Sequence, residues 1–98
     1  MQVEFIDDSI DKFLDNLDTP TRAKVVRTIG MLEAFGNLIG MPHSKSLHYP
    51  LFELSVTGKI LYVFHNRRAW ILHIFVKKIQ KTPKPEIARA LANLDKLV

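Results

Sequence analysis

"LFELSVTGKILYVFHNRRAWILHIFV", Leu51 to Val76, decides the fold. "LFELSV" (Leu51–Val56) and "ILYVFH" (Ile60–His65) are aliphatic and aromatic runs of strand length. Only "TGK" separates them, and Gly58 is the residue suited to a positive φ in a hairpin turn. "NRR" (Asn66–Arg68) then turns the chain into "AWILHIFV", Ala69 to Val76. Two tight turns in succession predict an antiparallel meander. The third run is apolar at nearly every position, so both of its faces need cover, and it belongs at the centre of a sheet or beneath other elements.

Working outward, "VEFI" (Val3–Ile6) is a short strand. In "DDSIDKFLDNL" the residues Ile10, Phe13, Leu14 and Leu17 fall on one helical face. "DTPTRAKVVRTIGMLEAFG" predicts a second helix, with Thr19 as N-cap, Pro20 in the first turn and Gly36 as the stop. Its buried stripe is Val25, Ile29 and Leu32, flanked by Val26 and Phe35. "NLIGMPHSKSLHYP" reads as a loop. Beyond the meander, "TPKPEIARALANLDKLV" predicts a helix capped by Thr82, with Ile87, Leu91, Leu94 and Val98 on one face. The expected order is β-α-α-β-β-β-α in one domain over residues 1–98: an α+β, two-layer arrangement with an antiparallel sheet and helices on one face.

An apolar share of 47% with 24% charged residues supports a packed core and argues against disorder. There is no cysteine, so disulfide and thiolate chemistry are excluded, and a reducing cytoplasmic setting is expected. No basic-then-apolar leader opens the chain, and no apolar run approaches the roughly 20 residues of a membrane helix, so no membrane partner is expected. Net charge is +4, but residues 1–40 carry −3 and residues 41–98 carry +7. Between Ala34 and Pro85, Glu53 is the only acid among eight Lys and Arg. Such asymmetry points to a polyanion facing one half of the molecule.

Several chemistries find no support. His43, His48, His65 and His73 make no HxxxH pair on a helix, and neither a metal nor another cofactor is expected. Gly36 and Gly40 lack the Lys-Ser/Thr that would follow in a phosphate loop, and no GxSxG nucleophile motif occurs. What remains is basic and aromatic. Lys45, His48 and Tyr49 precede the meander, Lys59 lies in its first turn and Arg67 and Arg68 in its second. Lys77, Lys78, Lys81 and Lys84 follow its last strand. The meander predicts Lys77 and Lys78 near Lys59, with Arg67 and Arg68 at the opposite edge. These cations suit phosphate contacts, and Tyr49, Phe52 and Trp70 are candidates to stack on bases, although core packing is the commoner fate of such aromatics. His65 and His73 sit within strand patterns and are expected half-buried with a satisfied ring nitrogen. His48, close to Lys45, is biased toward a neutral imidazole able to accept a proton. Cleavage of RNA by its own 2′-OH needs a proton acceptor, cations for the charged phosphorus centre and a donor to the leaving oxygen, and Lys with His supplies all three without metal.

The segment "MPHSKSL…LFELSVTGKILYVFHNRRAWILHIFVKKIQKTPKPEIARAL" resembles the phage-derived branch of the RelE/HigB toxins of bacterial toxin–antitoxin pairs. The likeness rests on Lys45–Leu47, Glu53–Leu54, Leu61–His65, and Leu72, Phe75, Lys77, Lys78, Lys81, Thr82 and Pro83. It covers roughly residues 41–91, and the upstream helical hairpin also fits. The resemblance implies a RelE-like fold, an endoribonuclease cleaving mRNA on the ribosome, and a silencing antitoxin of helix-turn-helix type. It implies Lys45, Lys77 and Lys78, with Lys81 beside them, as site residues. His48 joins Lys45, Lys77 and Lys78 as catalytic candidates, while Lys59, Arg67, Arg68, Lys81 and Lys84 are candidates for holding RNA. The family pattern has arginine where this chain has Ser55, and often glycine where it has Ile74. Two alternatives stay open: a non-enzymatic gyrase poison like the ParE relatives, and a catalytically weak homologue that binds antitoxin or nucleic acid.

Overall fold

The meander forms in the computed structural model, which describes residues 1–40, 44–55, 58–76 and 81–97. The chain runs through β1 (Gln2–Phe5), α1 (Asp8–Asp15), α2 (Thr19–Phe35), a 3₁₀ turn (Gly36–Leu38), β2 (Ser44–His48), β3 (Leu51–Ser55), β4 (Gly58–His65), β5 (Arg68–Val76) and α3 (Lys84–Leu97). One five-stranded sheet has the order β1-β5-β4-β3-β2. Ser55 faces Lys59 across β3 and β4, while Gly58 faces Val76 and His65 faces Arg68 across β4 and β5.

The two turns differ from the sequence expectation in a physically informative way. Gly58 is not at positive φ. It lies inside β4, where an added Cβ would sit 2.2 Å from the Phe75 carbonyl oxygen, so close backbone approach requires the glycine. The left-handed residues are Asn66 and Arg67, with φ of 52° and 64°. They form a two-residue hairpin loop whose twist matches the strands, and Arg68 already belongs to β5.

The expected loop over residues 37–50 contains β2, which pairs antiparallel with β3 and sets Lys45 opposite Glu53. An edge strand needs one neighbour only and tolerates polar side chains, so "SKSLH" shows little apolar alternation. The sheet is mixed rather than antiparallel, because β1 runs parallel to β5 from Gln2↔Arg68 to Phe5↔Ile71. The helical hairpin, not a tight turn, links β1 to the rest, so nothing forces it to be antiparallel.

The domain is α+β, as expected. Its apolar side chains form two clusters because strand residues alternate in direction. Ile10 and Leu14 of α1 with Val25, Ile29 and Leu32 of α2 pack on Leu54, Ile60, Tyr62, Ala69, Ile71 and Ile74. The intervening residues Leu51, Leu61, Val63, Leu72 and Phe75 meet α3 through Ile87, Ala90, Leu91, Leu94 and Leu97. The helices therefore lie on both sides of the sheet, which answers the need of β5 for cover on each face. A bulge in β5 opposite Leu61 shifts the pairing from His73 to Ile71, which sends Leu72 into the α3 cluster.

Helix ends follow local chemistry. The Asp7 carboxylate accepts from Ser9 N at 2.9 Å. Asp18, not Thr19, caps α2 by accepting from Thr21 N at 3.3 Å. Gly36, at φ 55°, ends that helix. Val26 and Phe35, expected to flank the buried stripe, are exposed. Thr82 does not cap α3: its hydroxyl turns to Glu53, and the Pro83 carbonyl accepts from Glu86 N and Ile87 N instead. Val98, expected on the α3 face, lies outside the described residues.

Candidate functional site

Three neighbouring strands converge on one acid. Lys45 stands opposite Glu53, and Lys59 stands opposite Ser55, one diagonal step away on the same face. Glu53 is 0% exposed. Its Oε1 lies 3.2 Å from Lys59 Nζ and 3.6 Å from Lys45 Nζ, and its Oε2 accepts from the Thr82 hydroxyl. Oε1 accepts no well-aligned hydrogen bond among the described residues, so its contact with the two ammonium groups is one of charge. Lys59 Nζ also donates to Ser55 Oγ at 2.8 Å.

A carboxylate removed from water needs opposite charge and donors, and here the sheet supplies both. The two lysines differ in access. The Lys59 side chain is 14% exposed and fixed, whereas that of Lys45 is 50% exposed. Among the described residues the cluster holds two cations and one anion, so it stays positive. An ammonium held by a carboxylate and a hydroxyl still has a third N–H to offer an incoming anion. That arrangement suits phosphate.

The start of α3 is tied to this face twice. Thr82 reaches Glu53, and His73 Nε2 lies 3.1 Å from Glu86 Oε2. His73 is half-buried with a satisfied ring nitrogen, as its strand position predicts. Lys81 and Lys84 are exposed on either side of Thr82 in the chain. The structure thus gathers Lys45 and Lys59, with Lys81 and Lys84 flanking the α3 tether. It does not bring Arg67 and Arg68 to them. Those two sit at the other end of β4 and β5, roughly 20 Å away at about 3.3 Å per strand residue, and Arg68 lies 3.6 Å from Glu4. Lys77, Lys78 and the side chain of His48 lie outside the described residues.

The aromatic candidates separate. Phe52 packs between Tyr62 and Phe64, with ring centroids 5.6 and 5.5 Å away. Trp70 joins the α3-facing core, where its Nε1 has no partner among the described residues. Of the three, Tyr49, 86% exposed, is the one presented to a base. The role of Glu53 was missed from sequence. It stands out as the lone acid of the basic half, but its pairing depends on β2, whose composition reads as loop.

Among the described residues, no three His, Asp or Glu side chains gather to hold a metal ion, and no helix is long and apolar enough to cross a membrane. No curated protein matches the chain. The family described as Phage derived protein Gp49-like (DUF891), a toxin-like family associated with RelE/HigB-type systems, matches residues 12–95, from α1 to the last turn of α3. A match over that span, through the helical hairpin, the whole meander and the lysine-bearing segment, places this chain in the phage-derived Gp49-like family.

Proposed function

We propose that this protein is the toxin of a toxin–antitoxin pair, of the phage-derived HigB branch of the RelE-like toxins, and a metal-independent endoribonuclease acting on mRNA at the ribosome. The observation that carries this reading is the lysine pair around buried Glu53, on the sheet face that Thr82, just before α3, also reaches. In the reaction, the 2′-oxygen attacks the adjacent phosphorus and the 5′-oxygen leaves, giving a 2′,3′-cyclic phosphate. The 2′-OH proton goes to a base, and the leaving oxygen takes a proton from an acid. Lys45, His48, Lys77 and Lys78 are the candidates for these steps and for the charge on the phosphorane. Lys59 moves from an outer RNA contact to the centre of the site because it shares an acid with Lys45. Lys81 and Lys84 suit the near RNA backbone, and Arg67 with Arg68 a more distant stretch.

The toxin-like family implies an antitoxin partner. We assign it the helix-turn-helix type, with an acidic segment over the basic face, and place the pair in the cytoplasm. The test is purified protein with ribosomes and mRNA. New 5′ ends that disappear in Lys45→Ala and Lys77→Ala support the reading, and their absence with wild type refutes it. A catalytically weak homologue is the second reading. Ser55 stands where the family pattern has arginine, and Lys59, which donates to it, is also committed to Glu53. Inhibition of supercoiling without RNA cleavage would instead favour the gyrase-directed alternative.

A further inference from the structure

We infer that Glu53 is the positioning residue of the basic site: a buried carboxylate that fixes Lys45 and Lys59 for a phosphate which they, and not it, contact. The nature of that phosphate rests on the RNA-cleaving reading above. Glu53 is 0% exposed, so an incoming phosphate would meet the lysines rather than the carboxylate. Its Oε1 faces both ammonium groups without a well-aligned hydrogen bond, so attraction of charge is what draws the two side chains together. The two nitrogens share one oxygen at 3.2 and 3.6 Å, which places them within about 7 Å of each other. Without the shared anion they would repel, and each long flexible stem would swing into water.

The other oxygen adds a third element. Oε2 holds Thr82, two residues before α3 begins at Lys84. One side chain therefore registers β2, β4 and the approach to α3 against β3. Ser55 completes the clamp on Lys59, whose ammonium is thereby fixed from two sides. The cluster trades general polyanion attraction for ordered donors: Glu53 lowers its net charge from +2 to +1 while fixing where the donors point. A purely structural acid would not make that exchange measurable.

The test uses Glu53→Gln in the full chain, which keeps the side-chain shape and removes the charge. Three readouts apply: NMR signals of the lysine ammonium groups, binding of a labelled RNA oligonucleotide across salt concentrations, and steady-state cleavage of ribosome-bound mRNA. In wild type, Lys59 should give a resolved ammonium signal that shifts on adding RNA. In Glu53→Gln that signal should merge with those of solvated lysines. RNA affinity should hold or tighten, with a salt slope steeper by about 0.7, as expected for one more neutralised phosphate on a single strand. Turnover should fall about 10- to 100-fold with KM no higher, the signature of donors present but misplaced. A parallel fall of affinity and turnover, or an unchanged Lys59 signal, overturns the inference. If wild type cleaves no RNA, the RNA-cleaving reading fails, and the lysine signal and salt slope still judge Glu53. If Glu53→Gln does not fold, Glu53→Asp takes its place. It keeps the charge but is one methylene too short to meet Thr82 and both lysines at once. Because the charge is kept, the salt slope should stay at the wild-type value; a weakened Lys59 signal with turnover reduced and KM no higher supports the assignment, and an unchanged Lys59 signal or a parallel fall of affinity and turnover overturns it.

Discussion

Lys59→Met deletes the cation closest to a fully buried carboxylate while keeping most of the aliphatic stem. Among the described residues, Glu53 would then keep the Lys45 ammonium at 3.6 Å, on a half-exposed side chain, and the Thr82 hydroxyl. Breaking a buried pair from one side typically costs 3–5 kcal/mol, and the two surviving partners put this case at the low end, about 3 kcal/mol. For a domain of this size, that loss lowers the melting temperature by at least about 12 °C. Urea unfolding followed by circular dichroism measures it, with an unchanged slope showing that the native and unfolded states keep their compactness. The loss should persist at 1 M salt, because a pair with one member out of solvent is poorly screened. The double variant Lys59→Met, Glu53→Leu should recover most of the stability, since neither charge remains buried alone. A single variant within about 0.5 kcal/mol of wild type, or a double variant as unstable as the sum of its parts, would refute the reasoning.

Gly58→Ala should disrupt the β4–β5 pairing, because its Cβ would meet the Phe75 carbonyl at 2.2 Å; a loss of at least about 2 kcal/mol is expected in urea unfolding. Arg67→Gly should raise stability by about 0.5–1 kcal/mol by relieving a left-handed arginine at φ 64°, and a thermal melt that shifts downward contradicts this. Tyr62→Phe leaves the buried Ser44 hydroxyl without its 2.6 Å partner and should cost about 1 kcal/mol at neutral pH. Burial pushes the Tyr62 phenol above its ordinary value near 10, so its contribution is complete below that pH and is lost as pH rises through the folded value; stability of Tyr62→Phe measured from pH 9 to 12 should fall less steeply than that of wild type. Asp7, held below the usual carboxylate range chiefly by its Ser9 hydrogen bond, should contribute stability above about pH 4 that disappears on acidification, and Asp7→Ala should flatten that limb of the pH–stability curve.

The sequence by itself determined the meander, the helical hairpin and the terminal helix. Each is written in short-range terms: strand-length apolar runs, a helical 3–4 spacing in Ile10, Phe13, Leu14 and Leu17, and turn residues between them. It also located the cations, since a charge count needs no fold. Tertiary structure decided the rest. Strand β2 carries too little alternation to be seen alone and exists because β3 offers an edge. The parallel placement of β1 depends on the free edge of β5, which no local pattern records. Glycine at 58 was legible as necessary, but the reason lies in the backbone across the sheet rather than in its own dihedral angle. Most of all, Glu53 changed meaning. In sequence it is one acid in a basic half; in the fold it lies beneath two lysines and a threonine drawn from residues 8, 6 and 29 positions away. Local spacing gives the elements because their hydrogen bonds and buried faces are short-range, whereas a charge cluster shared by four segments appears only once the sheet sets their register.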